Sequence, residues 1–467
     1  MALVSELLKR KWIFIGLAVG FVMLMIPVPE GLTPVGMKAL ALVVVAFIFF
    51  MTEPVPLPGV ALFIAVSQVL LGLEKPTGVA QSFMSDSVFF IMGSLMIAAA
   101  IVKQNLDKRI ALAIVRLTGP RIERIVLGLV SVSAVIASFI GEHTVSAMML
   151  PVGVALIKFT SDDRKKVKNL SILLMLSIAY GAMIAAIGTP SGGARNAIML
   201  AYWKELFGLN LTYFQWVVAA YPIILLEIPF VAYVLYRSFS PEVKDLSPAI
   251  SALRAKVEEE GKLTRQDWVT IGIFLITVVM WMTISDQIGL GITALIGVLL
   301  FMVAGVVRWE DLNNNVNWGT ILVYGGAISL GIMMKQSGVA EWIAKSFLTW
   351  VEPFGIHQGV PLLAAMSLMT VVLSSFMSSG ATVGMLGPIT LQIASLSGTS
   401  IVQAGFVTVI STSFVYLTSV ASPACNIIYG GGYLNRTDFL KAGWKLVLVS
   451  FLLLLLISAG YWTMLGI

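Results

Sequence analysis

Four short polar clusters interrupt an otherwise apolar chain. They lie at Ser138 to Ser146, Gly188 to Asn196, Ser375 to Thr382 and Ser422 to Asn426. Each mixes glycine or proline with hydroxyl side chains, and the second and fourth add an asparagine. Glycine and proline release backbone N–H and C=O groups from helical pairing, and in an apolar setting those groups need protein, water, ion or substrate partners. A helix that starts at such a break points free N–H groups and partial positive charge into it, which suits a carboxylate or a sulfate. Carbonyls exposed at the opposite half-helix end suit a cation. The alternative is a set of packing kinks with satisfied serines and threonines. Three ionisable residues sit inside the clusters: Glu142, His143 and Arg195. A guanidinium matches a carboxylate or sulfate in two-pronged geometry, so one reading is that Arg195 contacts an anion. A second is that Glu142 and Arg195 pair structurally, and a third leaves Arg195 snorkelling. His143 titrates near neutrality before any perturbation and is either a proton carrier or a neutral, hydrogen-bonded residue.

The elements that must hold these clusters are membrane helices. Apolar residues make up 58% of the 467 residues and charged residues 12%, half the usual share for a soluble domain. Mean hydropathy is +0.95. Spans are expected near 12–29, 36–52, 56–72, 87–102, 169–203, 216–236, 267–286, 289–307, 318–334, 402–430 and 443–465, each near the roughly 20 residues that cross a bilayer. Segments 125–157 and 360–397 are too long for one span and carry Gly, Ser and Pro at their middle. Basic residues flank the first on both sides, Lys103 to Arg124 before it and Lys158 to Lys168 after it. Both flanks are therefore expected in the cytoplasm, and the segment reads as a re-entrant hairpin. Eleven spans and two hairpins put the N-terminus inside and the C-terminus outside. In that layout 24 of the 30 Lys and Arg are cytoplasmic, so the net charge of +6 is a topology signal and not a nucleic-acid footprint.

The two halves repeat at a nearly constant offset. Gly93 and Lys103-Gln104 recur as Gly325 and Lys335-Gln336; Ser138-Phe139, Met148 and Pro151 recur as Ser375-Phe376, Met385 and Pro388. Gly188-Thr189-Pro190 recurs as Ala421-Ser422-Pro423. Equivalent helices run in opposite directions, which makes the repeats inverted: 1–237, a charged connector at 238–266, and 267–467. Inverted repeats with broken helices point to a secondary transporter with its site at the midplane.

The segments Phe90-Ile91-Met92-Gly93, Asn105 to Leu112, Ala147 to Pro151, Ile187 to Pro190 and Val420 to Pro423 stand in an order that resembles the divalent anion/sodium symporter family, the INDY-like dicarboxylate, citrate and sulfate transporters. The resemblance covers nearly the whole chain. It implies a homodimer, with a scaffold domain and a transport domain that moves as an elevator. It also implies a substrate between two hairpin tips that normally read Ser-Asn-Thr, with sodium beside each. Here the first tip falls on Gly141-Glu142-His143, or on Glu142-His143-Thr144 if shifted by one, and the second on Ser378-Ser379-Gly380, with Thr382 following. The usual Thr-Pro-Pro-Asn break becomes Thr189-Pro190-Ser191-Gly192-Gly193-Ala194-Arg195-Asn196, and the second break reads Ser422-Pro423-Ala424-Cys425-Asn426. Substrate contacts are expected from these tips and from Thr189, Pro190, Arg195, Asn196, Ser422 and Pro423. Cation contacts are expected at Ser138, Glu142, Gly188, Ser378 and Ala421.

The reading is an all-α polytopic protein of the plasma membrane that moves a small, divalent anion, by cation-coupled symport or by exchange. No cofactor, resident metal, catalytic residue or nucleic-acid partner is expected; sodium or a proton is the coupling ion. A cation/proton antiporter or channel of related architecture is the alternative, since Glu142 offers a cation ligand. Enzyme motifs such as Gly-x-Ser-x-Gly and His-Glu-x-x-His are absent from the sequence.

Overall fold

The computed structural model describes residues 2–104, 119–161, 163–259, 263–419 and 422–467. The Asn105 to Leu112 motif, Val420 and Ala421 lie outside these residues. Helices account for the described chain's regular structure, and nine of those described are long and apolar enough to cross a membrane. Large apolar side chains such as Leu62, Leu275, Val303 and Leu452 are exposed on the outer faces, where a soluble protein would place charge.

The helix order of the first half is Ala2–Met25, Pro34–Thr52, Leu57–Leu70, Pro76–Phe83, Asp86–Lys103, Ile122–Ile140, Glu142–Thr160, Lys168–Ala185, Ala194–Phe207 and Tyr213–Ser238. The second half runs Arg265–Thr283, Leu290–Val303, Trp309–Asn315, Trp318–Gln336, Val339–Val351, Gly359–Ser374, Ser379–Ser397, Ile401–Ser411, Pro423–Gly430 and Arg436–Leu456. Local chemistry sets many of the starts. Thr212 and Gln215 form a reciprocal capping box, as do Thr264 with Asp267 and Asn435 with Asp438. Lys103 and Lys335 each close a helix, where the carbonyl end favours a cation. Lys103 pairs with Asp311, and that bond holds the Asp311 carboxyl below its ordinary range.

Several elements differ from the sequence expectation. Val339–Val351 is a helix that the hydropathy reading missed. It buries Val339, Ala340 and Ala344, exposes Lys345 and Trp350, and meets Gly359–Ser374 at 116° across a short break. Such a half-apolar helix fails a test for a continuous apolar run. The connector at 238–266 carries a helix of its own, Ser247–Glu259. The second helix break is also wider than Ser422 to Asn426. The chain leaves the helix at Thr412 and resumes at Pro423, so Asn426 is helical.

Lys168–Ala185 is the spine that positions the first site cluster. Every residue from Leu170 to Ala185 is buried. Both arms of the first helical hairpin, Ile122–Ile140 and Glu142–Thr160, pack on it. A Cβ at Gly181 would fall 2.6 Å from the Val130 carbonyl oxygen, so the two backbones touch there. In the second half, the Tyr202 hydroxyl reaches the carbonyls of Ala327 and Gly384, both at 2.7 Å. One side chain thereby joins Ala194–Phe207, Trp318–Gln336 and Ser379–Ser397.

Candidate functional site

The two hairpin tips meet at one cavity. Gly141 turns the first hairpin at φ +88°, ψ 152°, a conformation that only glycine adopts without strain. Glu142 and His143 then open the second arm. At the second tip Ser378 caps Ser379–Ser397 by accepting from the Ala381 N–H at 3.3 Å, and Gly380 lets the Tyr324 ring lie against the helix. Between the tips runs the first helix break: a 3₁₀ turn at Pro190–Gly192, then Gly193, then Ala194–Phe207.

The cavity encloses about 120 Å3. Gly141, Glu142 and His143 line it from the first tip and Ser378, Ser379 and Gly380 from the second. Pro190 to Arg195 and Pro423 line it from the two breaks, and Tyr324, Thr320 and Phe90 complete the wall. Its charged groups come from the first tip and the first break, its other polar groups from both tips, the first break, Ser94, Thr320 and Tyr324, and the second break adds Pro423. His143 is exposed and faces the cavity, whereas Arg195 is 4% exposed.

Arg195 holds two partners. Its Nη2 donates to Ser413 Oγ at 2.9 Å, and its Nη1 lies 3.9 Å from Glu142 Oε1. Its Nε has no hydrogen-bond partner. The second Glu142 oxygen accepts from Ser422 Oγ at 3.4 Å. The pair is thus long and single-pronged, with donor capacity left over. A guanidinium that can make two parallel bonds to an oxyanion is making none of that kind here.

Thr144, Thr189, Asn196, Thr382 and Ser422 do not reach the wall. Thr144 is half-buried behind His143. Thr189 donates its hydroxyl to the Ser138 carbonyl and meets Ser191 Oγ, which meets Tyr213. Asn196 Nδ2 reaches the carbonyls of Ala186 and Thr189 at 2.8 and 2.7 Å, fixing the break. Thr382 bonds back to the Ser378 carbonyl at 3.1 Å. Among the expected cation positions, the Ser138 hydroxyl donates to the carbonyls of Ala134 and Ala185. Gly188 packs directly on that hydroxyl: a Cβ there would sit 2.8 Å away.

Sequence reading missed Ser413 and Tyr324. Ser411, Thr412 and Ser413 form a hydroxyl triplet in an apolar run, and that triplet was the available cue. Tyr324 gave none, since an aromatic in a membrane helix is ordinary packing.

The pattern described as the sodium:sulfate symporter transmembrane region matches residues 8–467. The chain belongs to that family, the divalent anion/sodium symporters. Among relatives of this family, an "Uncharacterized transporter" of Haemophilus influenzae is 26% identical over 444 residues and covers 92% of each chain. A "Sodium-dependent dicarboxylate transporter SdcS" of Staphylococcus saprophyticus is 24% identical over 92% of this chain and 86% of its own. Among solved structures, the YdaH transporter of Alcanivorax borkumensis superposes with a TM-score of 0.56 at 10% identity, covering 81% of this chain and 85% of its own. MtrF of Neisseria gonorrhoeae gives 0.53 at 10% identity, with 84% and 83% covered. At that identity both speak for the fold alone. This symporter-family chain is a multi-pass membrane transporter of anions and not an enzyme.

Proposed function

We propose that the chain is a secondary active transporter of a small divalent anion, a dicarboxylate or sulfate, held between the tips Gly141 to His143 and Ser378 to Gly380. The observation that carries this reading is the convergence of both tips and both helix breaks, with Arg195, on one cavity. The anion takes the spare donor capacity of Arg195, the exposed imidazole of His143 and the N–H groups at the helix starts. The tips and breaks belong to inverted repeats at 1–237 and 267–467, the hairpins are re-entrant, and the site moves by an elevator motion in a homodimer of the plasma membrane. The identity of the sodium-dependent dicarboxylate relative supports the substrate class.

Sodium is the coupling ion of this reading. Beneath the first tip the Ser138 and Ala186 carbonyls flank Gly192, where a Cβ would lie 2.5 and 2.8 Å from them. The Asn196 Oδ1 buried beside them has no hydrogen-bond partner. Such oxygens suit a hard monovalent cation better than an anion.

Uptake of labelled succinate and labelled sulfate into proteoliposomes tests the proposal, with and without an inward sodium gradient and with and without the same anion preloaded. Sodium-stimulated uptake of either anion is expected. Stimulation by preloading alone would replace symport with exchange. No movement of either anion under any condition would overturn the substrate class.

A further inference from the structure

A second ionisable site lies apart from the cavity. Glu227 sits near the middle of helix Tyr213–Ser238, between Pro222 and Pro229, and is 1% exposed. Neither carboxyl oxygen makes a hydrogen bond of full geometry, and the polar side chain beside them is that of Ser450. The group it faces is the Ser450 hydroxyl of Arg436–Leu456, and Ser450 Oγ lies 3.0 Å from the Tyr416 hydroxyl. Tyr416 lies in the non-helical residues 412–419, and its carbonyl accepts from the Tyr180 hydroxyl at 2.9 Å.

No counter-ion comes to Glu227 from the described residues of the packed helices. Lys168–Ala185 brings Tyr180, with Lys168 exposed at its first residue, and the titratable groups of Ile122–Ile140 are Glu123 and Arg124 at its start. Glu123 accepts from Tyr236. Arg265–Thr283 has Arg265 and Asp267 in its first turn. From Arg436–Leu456, Lys445 donates to Ser238 at 3.0 Å and Lys441 lies over Phe239, with Arg436 and Asp438 further toward that end. Ser238 is about 16 Å along the helix from Glu227 at 1.5 Å per residue. At the other end Tyr461 donates to the Val218 carbonyl. A lone carboxylate at that depth is too costly to remain charged and marks a functional site by default.

The position of Tyr416 gives the site a route to the anion. Three residues before it, Ser413 holds Arg195; six residues after it, Ser422 holds Glu142. An anion that takes Arg195 would act on Ser413, and one that displaces Glu142 would act on Ser422, one on each side of Tyr416, whose hydroxyl meets Ser450.

We propose that Glu227 takes up a proton from one side of the membrane and releases it to the other during each cycle, so that anion uptake carries a proton in addition to its cation. The inference rests on the anion-transport reading above. The test uses the full chain in proteoliposomes at equal sodium on both sides, with labelled succinate and sulfate as probes. Wild-type uptake is expected to rise several-fold under an inward proton gradient. Glu227→Gln, which mimics the protonated carboxyl, is expected to lose that stimulation while keeping anion counterflow. Infrared spectra are expected to show a protonated-carboxyl C=O band in the wild type that is missing from Glu227→Gln. Unchanged proton stimulation in the variant, or identical carboxyl bands, overturns the proposal. If neither probe moves in the wild type, the function proposed above fails, and the infrared band still decides whether Glu227 holds a proton. Should Glu227→Gln not fold, Ser450→Ala substitutes: a shifted carboxyl band supports the pairing, and an unshifted one overturns it.

Discussion

Substitution tests whether Arg195 and Glu142 have separable roles. Arg195→Gln removes the charge-assisted donors to a bound oxyanion, each worth about 1.5–3 kcal/mol. The KM for the transported anion is expected to rise about tenfold or more, and an unchanged KM would sink the contact. The same change leaves Glu142 buried without its cation, a loss of about 3–5 kcal/mol in stability. Glu142→Gln combined with Arg195→Gln is therefore expected to recover most of the thermal stability and none of the affinity. Recovery of affinity in the double variant would mean that the pair is structural only. Glu142, His143 and Arg195 stood out in the sequence because charge is rare in an apolar chain. Ser413 did not, since one hydroxyl among many has no meaning until a second segment brings a guanidinium within 2.9 Å of it.

The turns and close approaches of the helices carry predictions of their own. Gly141→Ala forces a side chain into φ +88°, at a cost of about 1–3 kcal/mol. A lower melting temperature and slower transport are expected, because the tip that presents Glu142 and His143 is distorted. Gly181→Ala is expected to be worse for folding and to act away from the site. Its Cβ meets the Val130 backbone 2.6 Å away, and backbone cannot rotate aside as a side chain can. Expression and thermal unfolding check both. Equal melting temperatures for Gly181→Ala and wild type would refute the close approach. The hairpin arms were legible in the sequence because the polar clusters around Gly141 and at Ser375 to Thr382 divide long apolar runs, whereas Pro151 and Pro388 lie inside their helices. Val339–Val351 was not legible, since a helix lying along a surface alternates apolar and polar residues as a soluble one does. The width of the second break was hidden for another reason. Thr412 to Thr418 reads as helix-compatible, and only the packing of Tyr180 and Gly443 against the Tyr416 carbonyl shows where its backbone bonds go.

At the scale of the whole molecule, the single cysteine is buried, so the wild type is expected to resist a membrane-impermeant maleimide. Lys165→Cys and Asn210→Cys, both at exposed positions, are expected to label from opposite sides of oriented vesicles. Labelling of both from one side would mean that the chain between them does not cross the membrane. His143→Cys is expected to label more slowly when anion is bound; an anion-independent rate would remove the tip from the substrate path. The Glu142–Arg195 pair also has an electrical consequence. Its two charges cancel, so the pair contributes no net charge to the cavity. A dianion crossing there carries its whole charge through the field, about 2.3 kcal/mol per charge for each 100 mV. With the inside negative, one accompanying monovalent cation leaves a net inward current of negative charge opposed by the voltage, two make transport voltage-silent, and three let the voltage pull the anion in. The sign of the current that succinate evokes in a clamped bilayer therefore counts the cations, whichever residues bind them.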